Sequence, residues 1–487
     1  MRKVLLGVAA ALVAAALPAT AGPLGPRVVV ADDAPKGAFE LVGHSPLNNR
    51  GMNAALGVHG DYVYVGSRTD AKANNANGSG VLVVDVSKPD APEIVKEIGP
   101  PDEANSGETS REMRVWRSQD LLLVMNLFSN CGEIHACTPT GGADNFRFYD
   151  ISGKNAADPK LVATYEPSVD PHEFYLWEDP KNPKRALLFL STPGGGQTQL
   201  MVTDISGYKK EKFREVGKYS FAAGEPGNDN RLHSFAVSPD GKTGYLAYLE
   251  AGFLVLDTSE IVKGVKKPQV TLRTDPKDAP KWPEAPGPGI HSAVPFFGRD
   301  FVMTTDEVYG EALRAINAGG CPWGWAKFLS VKDPAKPKVI SEYKLPQNEE
   351  SYCALPEAHE ALPRSQHPMS SFAAHNPTLT KNLAVLTWHA GGLQAIDISN
   401  PAKPVQAAEY LPDPLPFVLQ EDPVLSSGQD KVVMWSFPII QDGLIYVTDV
   451  RNGLYILKYK GPFANEISSV DFLEGNSNQG AALKLSR

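Results

Sequence analysis

Four histidines recur at matching places in consecutive segments of this chain. They are His172 in PHEFYL, His233 in LHSFAVSPDG, His291 in IHSAVPFFG and His375 in AHNPTLTKN. Each stands about one pair of strands upstream of an apolar run that closes in a polar turn. Neutral imidazole is a good ligand for iron, copper or zinc. Four imidazoles on separate rigid strands could hold an ion and leave positions open for water, dioxygen or substrate. One histidine at such a place would more often be a hydrogen-bonding pore residue. The recurrence is what points to a divalent transition metal, with iron or copper favoured over zinc.

The elements that must carry these histidines are also repeated. The runs are GVLVVDVSKPDAP, FRFYDISGKNAADP, LMVTDISGYKKEKF, FLVLDTSEIVKGVKKP, AKFLSVKDPAKP, LQAIDISNPAKP and GLYILKYKGP. Five carry an aspartate before the turn: Asp85, Asp150, Asp204, Asp257 and Asp397. Ser330 and Lys458 take its place in the fifth and seventh. These aspartates read as turn caps that accept backbone N–H bonds, and the prolines stop the strand. Four short strands per unit of roughly 40–60 residues define a propeller blade. The expected fold is all-β, a seven-bladed β-propeller.

Closure needs one strand more. The seventh unit lacks a strand after its turn, and residues 37–43 (GAFELVG) resemble the fourth strands of the other units. They are expected to complete blade seven from outside and so protect its edge. The propeller then spans 37–460, after a linker at 22–36. The polar tail at 461–487 is expected to pack loosely or fray.

The apolar-Asp-x-Ser-x-Pro signature resembles that of the LVIVD-repeat propellers of secreted bacterial proteins, over nearly all of the mature chain. That resemblance implies the architecture and no particular reaction. The histidine set is more distantly similar to carotenoid-cleaving oxygenases, seven-bladed propellers that hold iron through four histidines from different blades. It is also similar to methanethiol oxidases of the selenium-binding type. Both are analogies of fold and ligand set.

In a propeller the innermost strand of each blade lines the axial channel, and the four histidines start that strand in blades three to six. Counting back from the turns places Asn53 there in blade one, Glu112 in blade two, and Met434 or Trp435 in blade seven. The second strand returns to the same end. It brings Arg68 in blade one, Glu250 in blade four, Asp306 and Glu307 in blade five, His389 in blade six and Arg451 in blade seven. Glu250 and Glu307 are candidate carboxylates to orient the imidazoles, since a ligating histidine usually donates its second N–H. With His389 they are the candidates to move protons. Arg68 and Arg451 suit an anionic or oxygen-bearing ligand or cofactor.

Residues 1–21 read as a secretory signal: Arg2 and Lys3, an apolar stretch, then Ala19-Thr20-Ala21 before Gly22. A secreted or cell-envelope protein is expected, with no membrane span after signal removal. The four cysteines would then pair by proximity as Cys131–Cys137 and Cys321–Cys353. The net charge of −9 argues against nucleic acid as a partner. A monomer acting on a small molecule is expected. The connection CALPEAHEALPRSQHP, with His359 and His367, could form a lid over the channel. Trp323 and Trp325 could line a pocket or simply pack. Two functions fit: a metal-dependent oxidoreductase acting on a small organic or sulfur compound, or a non-catalytic extracellular binding module.

Overall fold

The computed structural model describes residues 26–31, 38–69, 80–99, 108–128, 143–192, 198–221, 232–281, 289–307, 323–353, 371–422, 425–426 and 430–485. The signal segment, the 131–137 loop, Cys321 and the 354–370 connection lie outside these residues, as does the Cys353 side chain. The disulfide and lid expectations therefore fall outside what is described.

Seven sheets follow one another along the chain; six are built on a meander of four consecutive antiparallel strands, and the seventh takes its outer strand from the N-terminal segment. Blade three is typical: Glu173–Asp179, Asn182–Ser191, Leu200–Gly207 and Lys212–Tyr219 pair in order from the axis outward. The inner three strands are almost wholly buried and the fourth is half-exposed. Each blade is thus an apolar slab with wet outer edges, and aromatic and aliphatic side chains fill the space between slabs. Trp177, Phe189, Phe235 and Leu254 share one such layer between blades three and four. The turn aspartates behave as expected. Asp85, Asp150, Asp204, Asp257 and Asp397 each accept the N–H two residues on, at 2.8–3.0 Å.

The ring is closed by the N-terminal segment, as its sequence implies. Phe39–Ser45 pairs antiparallel with Gly453–Tyr459 as the outer strand of blade seven. Gly453 permits this approach: its φ is 102°, and a Cβ there would meet the Ser45 carbonyl at 2.2 Å. Before it, Arg27–Val30 adds a parallel fifth strand to blade five. The same segment thus ties blades five and seven together.

The tail departs from expectation. Phe472–Leu473 pairs with the inner strand Ile439–Gln441 of blade seven, and Asn476 to Gln479 are buried. Polar composition here serves backbone satisfaction, not solvation. Asn478 exchanges hydrogen bonds with both the N–H and the carbonyl of Glu178, each at 2.8 Å. Gln479 donates to the Val115 carbonyl and accepts from the Arg117 N–H. These groups lie at the ends of the inner strands, opposite the histidines, so the tail caps the far mouth of the channel. A chain ended at Val470 should lose the burial of Phe472 and Leu473, worth about 5 kcal/mol or more. Its thermal midpoint should fall by several degrees; an unchanged melt would show that the cap adds nothing to the ring.

Candidate metal centre

A repeated hydroxyl staple sets the register at the near mouth. Ser191 donates its hydroxyl to the His233 carbonyl of the next blade, Thr305 to His375, Thr387 to Trp435 and Thr448 to Ala54. Ser234 donates to the His291 carbonyl in the same way. Trp435 thus holds the histidine place in blade seven and Ala54, not Asn53, holds it in blade one. In blade two a register shift between Ser110 and Glu112 sets Arg111 there, as the shift between Ile290 and Ser292 sets His291 in blade five.

The structure brings His172, His233, His291 and His375 into one buried cluster, each under 9% exposed. Ring centroids follow at 4.5 Å from His172 to His233, 3.9 Å to His291 and 4.3 Å to His375. His389 joins at 4.9 Å from His375. Glu307 faces three of them: Oε2 is 3.3 Å from His291 Nε2, and Oε1 is 3.1 Å from His375 Nε2 and 3.4 Å from His389 Nε2.

The second acid within reach is Glu173, whose Oε1 is 3.7 Å from His233 Nδ1 and 3.9 Å from His291 Nε2. Sequence reasoning passed over it in favour of Glu250, which is exposed. The position matching His389 in blade four is Leu249, not Glu250. Leu249 and His389 share a positive φ (30° and 26°) and the same bridge into the next blade. One residue of slip turns a side chain to the other side. Glu173 was legible as the neighbour of His172, but consecutive strand residues ordinarily face opposite ways. His172 precedes the strand Glu173–Asp179, so the alternation does not bind it.

The arginines separate. Arg451 is committed to the 411–422 connection, donating to Glu421 Oε2 at 2.8 Å and the Leu415 carbonyl at 2.7 Å. Arg68 borders the cluster, 5.3 Å above the Trp435 ring and 3.5 Å from Asp422. Arg111 was not expected from the sequence. It lies 5.7 Å from the same ring and donates to His172 Nδ1 at 3.1 Å. Asp306 pairs with buried Lys327. Trp323 packs on Tyr352 and Phe372.

Hydrogen bonds assign the tautomers and divide the cluster in two. Arginine only donates, so neutral His172 carries its proton on Nε2 and gives it to His233 Nε2 at 2.9 Å. Those two nitrogens are occupied with each other. His375 donates Nδ1–H to the Trp435 carbonyl at 2.6 Å, so its Nε2 turns a lone pair toward Glu307. Ser292 spends its hydroxyl proton on Asn376 Oδ1, so it accepts from His291 Nδ1–H, and His291 Nε2 also turns a lone pair toward Glu307. A carboxylate oxygen and an imidazole lone pair 3.1 Å apart need a cation between them, either a proton or a metal ion. Ligands about 2.0–2.2 Å from one ion stand about 3–3.5 Å apart. The three ligand atoms of His291, Glu307 and His375 all lie within 4.8 Å of one another, and those of Glu173, His233 and His291 do as well.

Electrostatics agree with a ligand-ready site. Burial holds His233 and His291 well below the ordinary imidazole range, reinforced by the adjoining rings, and burial also lowers His389. These imidazoles are neutral, the form that binds metal. Burial opposes charge on Glu307, and only a cation shared with His291 and His375, a proton on the facing ring nitrogen or an ion in its place, holds the group well below the ordinary carboxylate range. Burial and then Glu112 push Glu173 well above it. One acid is thus the anion and the other retains its proton further up the pH scale.

Fold and site together define a seven-bladed β-propeller with a buried histidine–carboxylate cluster at one mouth of its axial channel. The LVIVD repeat model matches residues 387–411, so blade six of this propeller carries an LVIVD repeat. No curated protein matches the chain. Among solved structures it is similar to the periplasmic gluconolactonase PpgL of Pseudomonas aeruginosa: 13% identity, 81% of this chain and 93% of that chain covered, TM-score 0.46. It is also similar to Sqt1 from Chaetomium thermophilum, alone (13%, 85% and 86%, 0.44) and bound to the N-terminus of the ribosomal protein L10 (13%, 85% and 89%, 0.43). Likenesses this distant carry no functional argument, and the analogy to four-histidine oxygenases gains nothing from them. Among the described residues no helix is long and apolar enough to cross a membrane.

Proposed function

We propose that the axial cluster holds one divalent transition metal and that the protein is a metal-dependent oxidoreductase acting on a small organic or sulfur compound. The observation that carries this reading is Glu307 set against the lone pairs of His291 and His375, a buried arrangement that calls for a cation. His291, His375 and Glu307 would hold the ion, with His389 beside them. Two histidines and one carboxylate with open positions favour iron, and the further imidazoles also suit copper. A metal bound there would supply redox chemistry at the mouth of the channel opposite the one that the tail caps.

The surrounding residues position this set. The Trp435 carbonyl fixes His375, and Ser292 with Asn376 fixes His291. The His172–His233 pair stands beside the ligands and Glu173 beside the pair, a proton-bearing flank able to donate or accept near a bound substrate. Secretion or residence in the cell envelope is part of the proposal and rests on residues 1–21.

Metal analysis of purified protein tests the reading. One equivalent of iron or copper is expected, lost in His291→Ala and retained in His172→Gln. Folded protein that takes up no iron, copper or zinc on reconstitution would overturn it and leave the propeller as a non-catalytic binding module.

A further inference from the structure

The tail that caps the far mouth is a closed loop on a pinned base. Its ends meet: Lys484 Nζ is 3.4 Å from Asp471 Oδ2. Gly480, at a φ of 60°, sits against the Phe472 carbonyl, where a Cβ would collide. Residues 471–484 thus pack on themselves in the manner of an Ω-loop. The base is fastened to blade six. Glu466, on the short helix Ala464–Ser468, accepts from Thr380 Oγ1 at 2.6 Å and from the Asn382 N–H at 2.8 Å. Ile467 and Val470 are buried as well. Motion beyond this anchor has its hinge at Asp471.

The loop meets the ring through contacts of two kinds. Phe472 and Leu473 are buried, and Asn478 and Gln479 bond the backbone of Glu178, Val115 and Arg117. The Leu176 N–H reaches the Asn476 carbonyl at 3.3 Å. Other groups oppose closure. Glu474 and Asn476 line a narrow axial cavity with Glu112, Arg114 and Trp435, and Trp435 packs against His375. Glu474, Asn476 and Arg114 are at most 5% exposed. Glu474 Oε1, Asn476 Oδ1 and Arg114 Nε have no hydrogen-bond partner among the described residues, and the cavity is too narrow for a water molecule. An unpaired buried polar group is costly, and water can satisfy all three once the loop lifts. We infer that residues 471–484 are a hinged plug, which opens as one unit about Asp471 and admits water to the axial cavity beneath the histidine cluster. Such a unit opens far below the free energy of global unfolding. Opening uncovers Phe472 and Leu473, so the shut state dominates. The inference stands whether or not the cluster holds an ion.

Residue-resolved hydrogen exchange on the full chain tests it. The loop bonds the N–H groups of Arg117, Leu176 and Glu178. Asn478→Ala removes the bonds to Glu178. It should speed exchange at Arg117 and Leu176, which Asn478 does not bond, by one common factor of about tenfold or more. Leu188, in the strand Asn182–Ser191 of blade three, should be unchanged. A rise at Glu178 alone would mean that the loop frays contact by contact, and an equal rise at Leu188 would mean global loosening. Either result overturns the inference. Entry to the cavity has its own readout. Ala55 lines it, so in Ala55→Cys the thiol should react slowly with methyl methanethiosulfonate. Adding Asn478→Ala should speed that reaction by the same factor as the two amides. Labelling indifferent to Asn478 would mean that the cavity fills from the histidine mouth, and the plug fails. If Asn478→Ala does not fold, Gly480→Ala breaks the loop's own closure and takes its place, with the same expected and contrary results.

Discussion

Glu307→Gln should strip the proposed metal ion from this protein while leaving its fold intact. The substitution keeps shape and removes the one anion that faces three imidazole nitrogens. Loss of an orienting partner typically weakens metal binding about 10–100-fold, and loss of a charged ligand should do more. The chelated variant should melt no lower than chelated wild type, because the amide can donate to an imidazole lone pair where the carboxylate repels it. Metal competition against a coloured chelator reads the first effect and a thermal melt the second. A chelated variant that is clearly less stable, with affinity unchanged, would make Glu307 the partner of an imidazolium and not a metal ligand. His172→Gln separates the two possible ligand sets. If it loses metal as fully as His291→Ala, the ion sits among the four ring histidines instead.

Acidification of the chelated protein should be the second large effect. His233, His291 and His389 have pKa values lowered by burial, so the folded chain refuses protons that the unfolded chain accepts below about 6.5. Their contribution to stability is present above that value and is lost as the pH falls. Each costs up to about 1.4 kcal/mol per pH unit. Glu173 acts in the opposite sense. Its raised pKa means that its contribution is complete below the unfolded value and is lost as pH rises through the folded one. Three protons against one leave a net slope of up to about 3 kcal/mol per pH unit between roughly pH 6.5 and 5. Half-buried His44 and His59 add in the histidine direction. Glu307, held low, contributes to the loss only at lower pH. Urea midpoints at pH 7.0 and 5.5 check this. A flat profile would mean that the cluster protonates freely in the folded chain and is open to water.

The blades were legible because each is specified locally. An apolar run, an aspartate two residues before its N–H partner and a proline describe one turn, whatever surrounds it. Strand Phe39–Ser45 was legible for the same reason, as a fourth strand without a blade. The near mouth was legible only to within a residue. Leu249 stands where Glu250 was expected and Arg111 where Glu112 was, because bulges and strand entries suspend the two-residue alternation on which counting relies. The tail was misread because Asn and Gln look solvated in a sequence, and here they satisfy the exposed backbone of neighbouring strands.

The sequence alone determined a seven-fold toroid and the gathering of imidazoles about its axis, since repetition places equivalent residues at equivalent radii. The tertiary structure decided which of those imidazoles turn a lone pair toward the carboxylate. That depends on tautomers, and a tautomer is set by a partner from another blade. Arg111 commits His172 to His233, while the Trp435 carbonyl leaves His375 with its lone pair toward Glu307. No spacing within a single repeat encodes a hydrogen bond made across 60 residues of chain.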